Sequence, residues 1–344
     1  MIQEKNIFGE GELYEADDLD GKIYVICCAC MSIYSEFLSW ANKYPDRMTN
    51  DPFRAKNIII LSCQVTDLAI LNDLNTLESL NRLFKDDPKD YYIGGCLARR
   101  FDIEFEARRL DNIKEDYQQI ENRNLIDYAA PFWVDNFNED MEDFDDGMLF
   151  RKMYPLRVSA GCHKKCAYCS IRIVRGKNYN LNVDKLRSEF LSHEDVVAIA
   201  DSLIAEQVKE LITLAAENNK SISFRNLDPD VAFKCRKGLN KLAHEKLLKI
   251  LHVPIQSDNV DTLIDMGRNS SSVGEFMTLL PYLKGMDVFL ATNIIIDYKH
   301  FPNPDMVKLR KYFNYISWNP YWDGKWNRDK AIERNNKYSD YKEE

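Results

Sequence analysis

Apolar positions in this chain alternate between short unbroken runs and longer stretches with helical spacing. Lys22–Cys28 (KIYVICC) is apolar and β-branched, which predicts a buried strand. Helical spacing follows over Ser32–Lys43. Asn57–Cys63 (NIIILSC) predicts a second buried strand, a helix runs from about Asp67 to Phe84, and Tyr91–Cys96 (YYIGGC) gives a short third strand. Alternation of this kind implies a parallel sheet, and functional residues gather at the carboxyl ends of such strands. All three strands end in cysteine, so three thiols are expected to converge at one sheet edge.

A second alternation lies beyond Asn136–Gly147, whose acids Glu139, Asp140, Glu142, Asp143, Asp145 and Asp146 read as a solvated linker at a domain boundary. Its expected strands are Tyr154–Ser159, Glu210–Ala215, Ser221–Arg225, Ile250–Ile255, Val288–Ile296 and Tyr315–Trp318. Six βα units predict an incomplete parallel barrel. The expected organisation is an α/β chain with a three-layer parallel-sheet domain over residues 1–148, a partial (β/α)6 barrel over 149–330, and a polar tail over 331–344.

Composition narrows the setting. A length of 344 residues suits two domains, and the formal net charge of -9 disfavours global attraction to phosphate backbones. The basic run Lys234–Lys249 leaves a local RNA footprint open against the plainer reading of a solvated helix face. The polar, acidic start is unlike a signal peptide, and Ile23–Leu38 is too short and too interrupted to span a bilayer. A cytoplasmic, reducing setting without a membrane partner is the expectation, where nine cysteines serve as metal ligands, catalytic groups or core residues rather than disulfides. Cys235, alone in a polar stretch, reads as incidental.

The strongest signal follows the first strand of the second alternation, where Cys162, Cys166 and Cys169 stand three and two residues apart in Gly161-Cys-His-Lys-Lys-Cys-Ala-Tyr-Cys169. Three thiolates on one loop can hold a cubane cluster and leave one iron free of protein ligands. Zinc is the alternative, but it usually takes four Cys or His ligands, and His163 is too close in sequence to complete a tetrahedron easily.

CHKKCAYC resembles the CxxxCxxC signature of radical S-adenosylmethionine (SAM) enzymes, including the aromatic residue before the last cysteine. Ser170-Ile-Arg-Ile-Val-Arg-Gly-Lys177 is similar to the stretch that follows in the methylthiotransferases. His252-Val-Pro-Ile-Gln-Ser257 with Met266-Gly-Arg268 resembles that family's HxPxQS and MxR segments, and Arg225-Asn-Leu-Asp-Pro229 a further one. Leu214-Ala-Ala-Glu-Asn218 falls where the family has a polar loop after its second barrel strand. Upstream, Ser62-Cys-Gln-Val-Thr66 and Gly95-Cys-Leu-Ala-Arg-Arg100 are similar to TCxVT and GCxA elements. The resemblance runs from about Lys22 to Trp318.

The resemblance implies two [4Fe-4S] clusters and SAM. One cluster sits on Cys162, Cys166 and Cys169, where SAM is cleaved to a 5'-deoxyadenosyl radical that removes a hydrogen from an unactivated carbon. The auxiliary cluster sits on three N-terminal cysteines and carries the sulfide that is methylated and transferred. Cys63 and Cys96 supply two of those ligands. The first is Cys28 or Cys30: counting from the strand start favours Cys30, while the downstream Ser35-Glu36 and the even spacing (35 residues from Cys28 to Cys63, 33 from Cys63 to Cys96) favour Cys28. The Asn that usually follows this cysteine is missing.

For SAM itself the resemblance points to Tyr168, Glu217, Arg225, Gln256 and Arg268. Each has a plainer alternative: Tyr168 packing beneath the loop, Glu217 capping a helix, Gln256 as a core amide, Arg268 at the surface. Arg175 is open between a contact to SAM or a cluster and a pair with an acid. A small reductant such as flavodoxin or ferredoxin is the implied electron donor. Two departures stand out. Ile296-Asp-Tyr-Lys-His300 replaces the family's Gly/Pro-rich turn after the fifth barrel strand, and only polar residues occupy the place of its C-terminal β-barrel substrate domain. Trp318, Trp322 and Trp326 cluster before that tail, as a barrel floor or a substrate wall. The leading expectation is methylthiolation of a peptide or protein. The alternatives are methylthiolation of tRNA and a non-catalytic iron–sulfur or zinc protein.

Overall fold

The computed structural model describes residues 8–111, 153–176, 179–180 and 183–339. The acidic run Asn136–Gly147 lies outside them. The chain divides into two compact units. One comprises Met1–Phe144, Ile173–Arg175 and Gly324–Glu344; the other comprises Asp145–Arg172 and Gly176–Asp323.

In the N-terminal unit the strands β1 (Ile23–Cys27), β2 (Asn57–Ser62), β3 (Asp90–Gly95) and β4 (Arg108–Arg109) form a parallel sheet in that order. The run NIIILS is buried at every position, as a central parallel strand covered on both faces must be. The crossovers contain α1 (Met31–Lys43) and α2 (Asp67–Leu83). Thr66 caps α2 by accepting the Ala69 N–H at 3.1 Å. Ile70, Leu74 and Leu77 then bury one stripe of it.

The C-terminal end of this unit corrects the expected tail. Arg328–Ser339 is a helix, packed on α2 through an Arg334–Asp67 pair at 3.3 Å and an Arg328–Glu78 pair. Ala331 and Tyr338 are its buried apolar positions, too sparse to read as an amphipathic stripe. Arg328 and Arg334 reach acids on α2, which no local pattern announces.

The second unit holds β5 (Tyr154–Arg157), the antiparallel pair β6 (Ser159–Ala160) and β7 (Tyr179–Asn180), and then β8 (Val196–Ile199), β9 (Ile222–Phe224), β10 (Leu248–His252), β11 (Phe289–Ile296) and β12 (Tyr315–Pro320). Apart from the small pair, the six strands β5-β8-β9-β10-β11-β12 lie parallel in chain order. The helices between them include α3 (Ile171–Arg175), α4 (Val183–Ser192), α5 (Ala205–Asn218), α6 (Pro229–Lys234), α7 (Arg236–His244) and α8 (Val260–Asp265). This is the (β/α)6 topology expected of an incomplete parallel barrel.

One strand differs from expectation. Glu210–Ala215 lies inside α5, and the second barrel strand is Val196–Ile199. Val208, Leu211, Ile212 and Ala215 are buried at helical spacing, whereas Val196–Ala200 is an unbroken buried run. The turn after β11 also differs in kind. Asp297 and Lys299 both adopt φ of 52°, a left-handed conformation that glycine takes without strain. Asn303 steadies the turn, accepting the Asp297 N–H at 2.6 Å.

Candidate functional site

The loop between β6 and α3 is fastened at several backbone points. Gly161 opens it at φ 75° and donates its N–H to Asp201 Oδ2 at 2.8 Å. The Cys162 N–H reaches Gly176 O at 3.1 Å, the Ala167 N–H reaches Met266 O at 3.0 Å, and the Cys169 N–H closes a turn on Cys166 O at 3.1 Å. Three cysteines within eight residues are thereby held on one anchored segment.

The thiols feel each other. Burial, then the Cys166 charge, pushes the Cys162 thiol up, while the Lys164 N–H (3.4 Å from Sγ) and the Ser202 hydroxyl oppose the shift. Cys169 is an exposed residue, yet crowding of its thiol by protein atoms pushes it up to about 12, helped by the charges of Cys166 and Cys162. Three mutually repelling thiolates are favoured only when a cation replaces their protons.

The donor set fits a cluster better than zinc. Among the described residues no three Cys, His, Asp or Glu side chains converge on a single ion. A cubane does not ask for that, because each thiolate meets a different iron. His163 is directed elsewhere, with Nδ1 3.3 Å from the Ser202 hydroxyl.

A charged network supports the loop. Lys164 pairs with Asp228 at 2.6 Å and Asp230 at 3.0 Å. Arg268 meets Asp228 Oδ2 at 3.4 Å and donates to Pro254 O at 2.8 Å and to the Tyr168 hydroxyl at 3.4 Å. Burial works against the Arg268 charge, but Tyr168, Asp228 and Cys166 together outweigh it and hold the guanidinium above its ordinary value. The Tyr168 ring packs on Met266, Ile295 and Tyr298.

Of the other expected SAM contacts, Arg225 follows β9, buried, with its N–H on Ala198 O at 3.1 Å. Gln256 stands beyond β10 at φ 69°, a strained conformation for a side chain of its size, and strain of this kind concentrates at ligand sites. Both thus sit at carboxyl ends of barrel strands. Glu217 does not: it is exposed in the last turn of α5, because the polar loop after the true second strand is Asp201-Ser202. Asp201, Ser202, Lys164 and Asp228 were missed from the sequence. The apolar run ending at Ala200 was the available signal for the first two. His252 is fully buried and accepts the Asn226 N–H at Nδ1 (3.2 Å), which leaves Nε2–H to donate to Asn293 Oδ1. Trp318 and Trp322 belong to the barrel unit and Trp326 to the N-terminal unit.

In the N-terminal unit the cysteines come from three separate strand ends. The Ser62↔Gly95 register places Cys63 level with Cys96, and the Cys28 N–H continues the β1 ladder to Leu61 O at 2.8 Å. Gly95 makes the close approach possible: at φ 79° a Cβ there would stand 2.6 Å from Ser62 O. Cys30 is the residue before α1, its carbonyl accepting from Ile33 and Tyr34 N–H. Cys28 instead lies against Asp73, whose Oδ2 accepts the Cys63 N–H at 2.9 Å. That shared carboxylate joins Cys28 to Cys63 and favours Cys28 in the ligand set. Arg100, fully buried, ties the two other loops, donating to Gln64 Oε1 at 3.3 Å and to Asp102. Arg175 forms a buried pair with Glu36, which resolves it as an acid partner.

No protein-family model matches the chain. Among curated proteins it is 25% identical over 322 residues to the tRNA-2-methylthio-N(6)-dimethylallyladenosine synthase of Helicobacter pylori (strain Shi470), covering 82% of this chain and 69% of that protein. It is likewise 25% identical over 337 residues to the ribosomal protein uS12 methylthiotransferase RimO of Acetivibrio thermocellus, covering 86% of this chain and 72% of that one. Solved structures with some likeness include the radical SAM methyltransferase TsrM from Kitasatospora setae, with TM-score 0.46, 9% identity and coverage of 80% of this chain and 68% of that chain. Another is coproporphyrinogen III oxidase (HemN) from Escherichia coli, with TM-score 0.32, 17% identity and coverage of 60% and 54%. The likeness is carried by sequence: the curated homologues of this chain, at 25% identity, are tRNA and ribosomal-protein methylthiotransferases.

Proposed function

We propose that this protein inserts a methylthio group at an unactivated C–H of a peptide or protein. The observation that carries the reaction class is the pairing of two distinct cysteine sets. One is the three-thiol loop of the barrel unit; the other is the three-strand edge of the N-terminal unit. A radical enzyme with a single cluster has no use for the second set.

Cys162, Cys166 and Cys169 would hold the SAM cluster, and Cys28, Cys63 and Cys96 the auxiliary one. When bound, these groups supply the electron, the radical precursor, the methyl group and the sulfur. The chain's own residues supply binding and orientation. Arg268 offers a guanidinium for the SAM carboxylate, held in place by Asp228 and Pro254. Arg225 and Gln256 stand ready at adjacent strand ends. Lys164 pins the cysteine loop through Asp228 and Asp230, which limits movement of the ligands as charge on the site changes.

Charge supports a peptide or protein substrate. RNA affinity is mostly electrostatic, and the formal charge is -9. Three of the six Lys and Arg residues in the basic run sit beside acids. Lys234 pairs with Asp230 at 3.4 Å, Lys241 with Glu245 at 3.9 Å and Lys246 with Asp287 at 2.8 Å. The second reading, methylthiolation of tRNA, draws on the Helicobacter relatives, which are tRNA-modifying enzymes.

The test is direct. Anaerobically reconstituted protein is incubated with SAM, sulfide, reductant and either host tRNA or host peptides encoded beside the gene. Mass spectrometry should find a gain of about 46 Da, hydrogen replaced by SCH3, on peptide alone. A methylthiolated nucleoside in the tRNA digest, with peptides untouched, promotes the second reading.

A further inference from the structure

Asp73 lies on the buried face of α2 among Ile70, Leu71, Leu74 and Leu77, and its residue exposure is 0%. An ionised carboxylate taken out of water is costly unless its oxygens are engaged. Only part of this one is. Oδ2 accepts the Cys63 N–H at 2.9 Å, while Oδ1 is buried with no hydrogen-bond partner among the described residues. The Cys28 thiol lies against the same carboxylate. The other buried carboxylate of α2, Asp67, pairs with Arg334 at 3.3 Å, whereas Asp73 is aimed at two cysteine-bearing loops.

The backbone shows what the carboxylate adds. Strand register sets Cys63 level with Cys96, so β2 and β3 present those two thiols without further help. The loop after β1 is out of step. Cys27 pairs with Leu61, which leaves Cys28 level with Ser62, one residue short of Cys63, a rise of about 3.3 Å. Asp73 reaches both the Cys63 backbone and the Cys28 side chain, and so spans that offset from α2.

We propose that Asp73 is a positioning residue for the N-terminal cysteine edge, holding the loops after β1 and β2 so that Cys28 and Cys63 are presented together with Cys96. This rests on the reading of those three cysteines as the auxiliary ligand set. It adds a residue outside the cysteine motifs, and it supports Cys28 over Cys30 as the third member of the set.

The experiment uses the full chain in a Cys162/Cys166/Cys169→Ala background, so that any remaining cluster is the auxiliary one. Iron release to a ferrous chelator and the low-temperature EPR spectrum of the reduced protein are compared for the background, Asp73→Ala, Asp73→Asn, Cys28→Ala and Cys30→Ala. Asp73→Ala should lose iron at least about tenfold faster than the background, the usual cost of removing a residue that orients metal ligands. Asp73→Asn keeps the shape and an acceptor for the Cys63 N–H. It should restore near-background iron retention while altering the EPR spectrum, which a purely structural role would leave unmoved. Background behaviour of both Asp73 variants, in retention and in spectrum, overturns the proposal. If Asp73→Ala does not fold, an unaltered spectrum in Asp73→Asn overturns it equally. Failure of the ligand reading looks different: the background itself holds no iron, or Cys28→Ala keeps its cluster while Cys30→Ala loses it, and either result removes the basis for the role of Asp73.

Discussion

The two cysteine sets are assembled in opposite ways. In the barrel unit, Cys162, Cys166 and Cys169 lie on one eight-residue stretch, and the surroundings are polar: Lys164, Asp228, Asp230 and Arg268 form an ion-pair network around a half-open loop. In the N-terminal unit, Cys28, Cys63 and Cys96 come from three strand ends spread over the first hundred residues, and Cys96 is buried. A local loop can be fastened by a few backbone bonds and by surface-side charges. A non-local edge relies on strand register, on glycine at the tight approach, and on buried polar anchors such as Asp73 and Arg100.

The comparison breaks most completely by deletion of the local set. Cys162/Cys166/Cys169→Ala should abolish reductive SAM cleavage and remove about four irons per chain, leaving about four. Continued production of 5'-deoxyadenosine by this variant refutes the assignment of the loop. The converse variant, Cys63/Cys96→Ala, should leave SAM cleavage largely intact and stop sulfur transfer, again with about four irons lost. Full methylthio transfer by the double variant, with unchanged iron content, would reduce the protein to a single-cluster enzyme.

Smaller effects sharpen the contrast between charged and backbone support. Arg268→Ala should weaken SAM binding to reconstituted protein about 10–100-fold, the worth of one charge-assisted contact to a carboxylate, and Arg268→Lys should recover only part of it. Equilibrium dialysis with labelled SAM measures both; wild-type affinity in the alanine variant returns Arg268 to a packing role. Gly95→Ala should destabilise the N-terminal sheet by about 2–3 kcal/mol, since φ of 79° and a 2.6 Å approach to a backbone oxygen leave no room for relaxation. Hydrogen exchange at β2 and β3 amides reads this locally, and unaltered protection there would show that the edge tolerates a Cβ. Last, Glu217→Ala should change neither SAM affinity nor stability beyond about 0.5 kcal/mol, as for an ordinary exposed helix position. A loss of SAM binding would restore Glu217 to the site.

Legibility followed the same divide. The three cysteines of the loop Gly161–Ser170 could be picked out, because their pattern depends on spacing within one short segment. The strands β1, β2 and β3 were equally plain, being continuous apolar runs ended by cysteine or glycine. The second barrel strand was misread because α5 carries enough apolar residues to imitate a strand when period is not weighed against length, and Glu217 was drawn into the site with it. Asp201 and Ser202 were lost by the same error. Lys164, Asp228 and Asp73 could not be found, since a charged residue on a loop or helix looks solvated until its partner from a distant segment is known.

The sequence alone determined the α/β alternation, the three-thiol loop, the cysteine-ended strands and the resemblance to methylthiotransferases. These rest on local periodicity and on short-range spacing, which survive without knowledge of the fold. Only the tertiary structure decided that Cys28 shares a carboxylate with Cys63, that Arg268 and Lys164 meet at Asp228, and that Arg328–Ser339 is a helix on α2 rather than a tail. Each of these joins residues far apart in the chain, and the free energy that selects them, desolvation offset by a specific partner, exists only once the partners have been brought together.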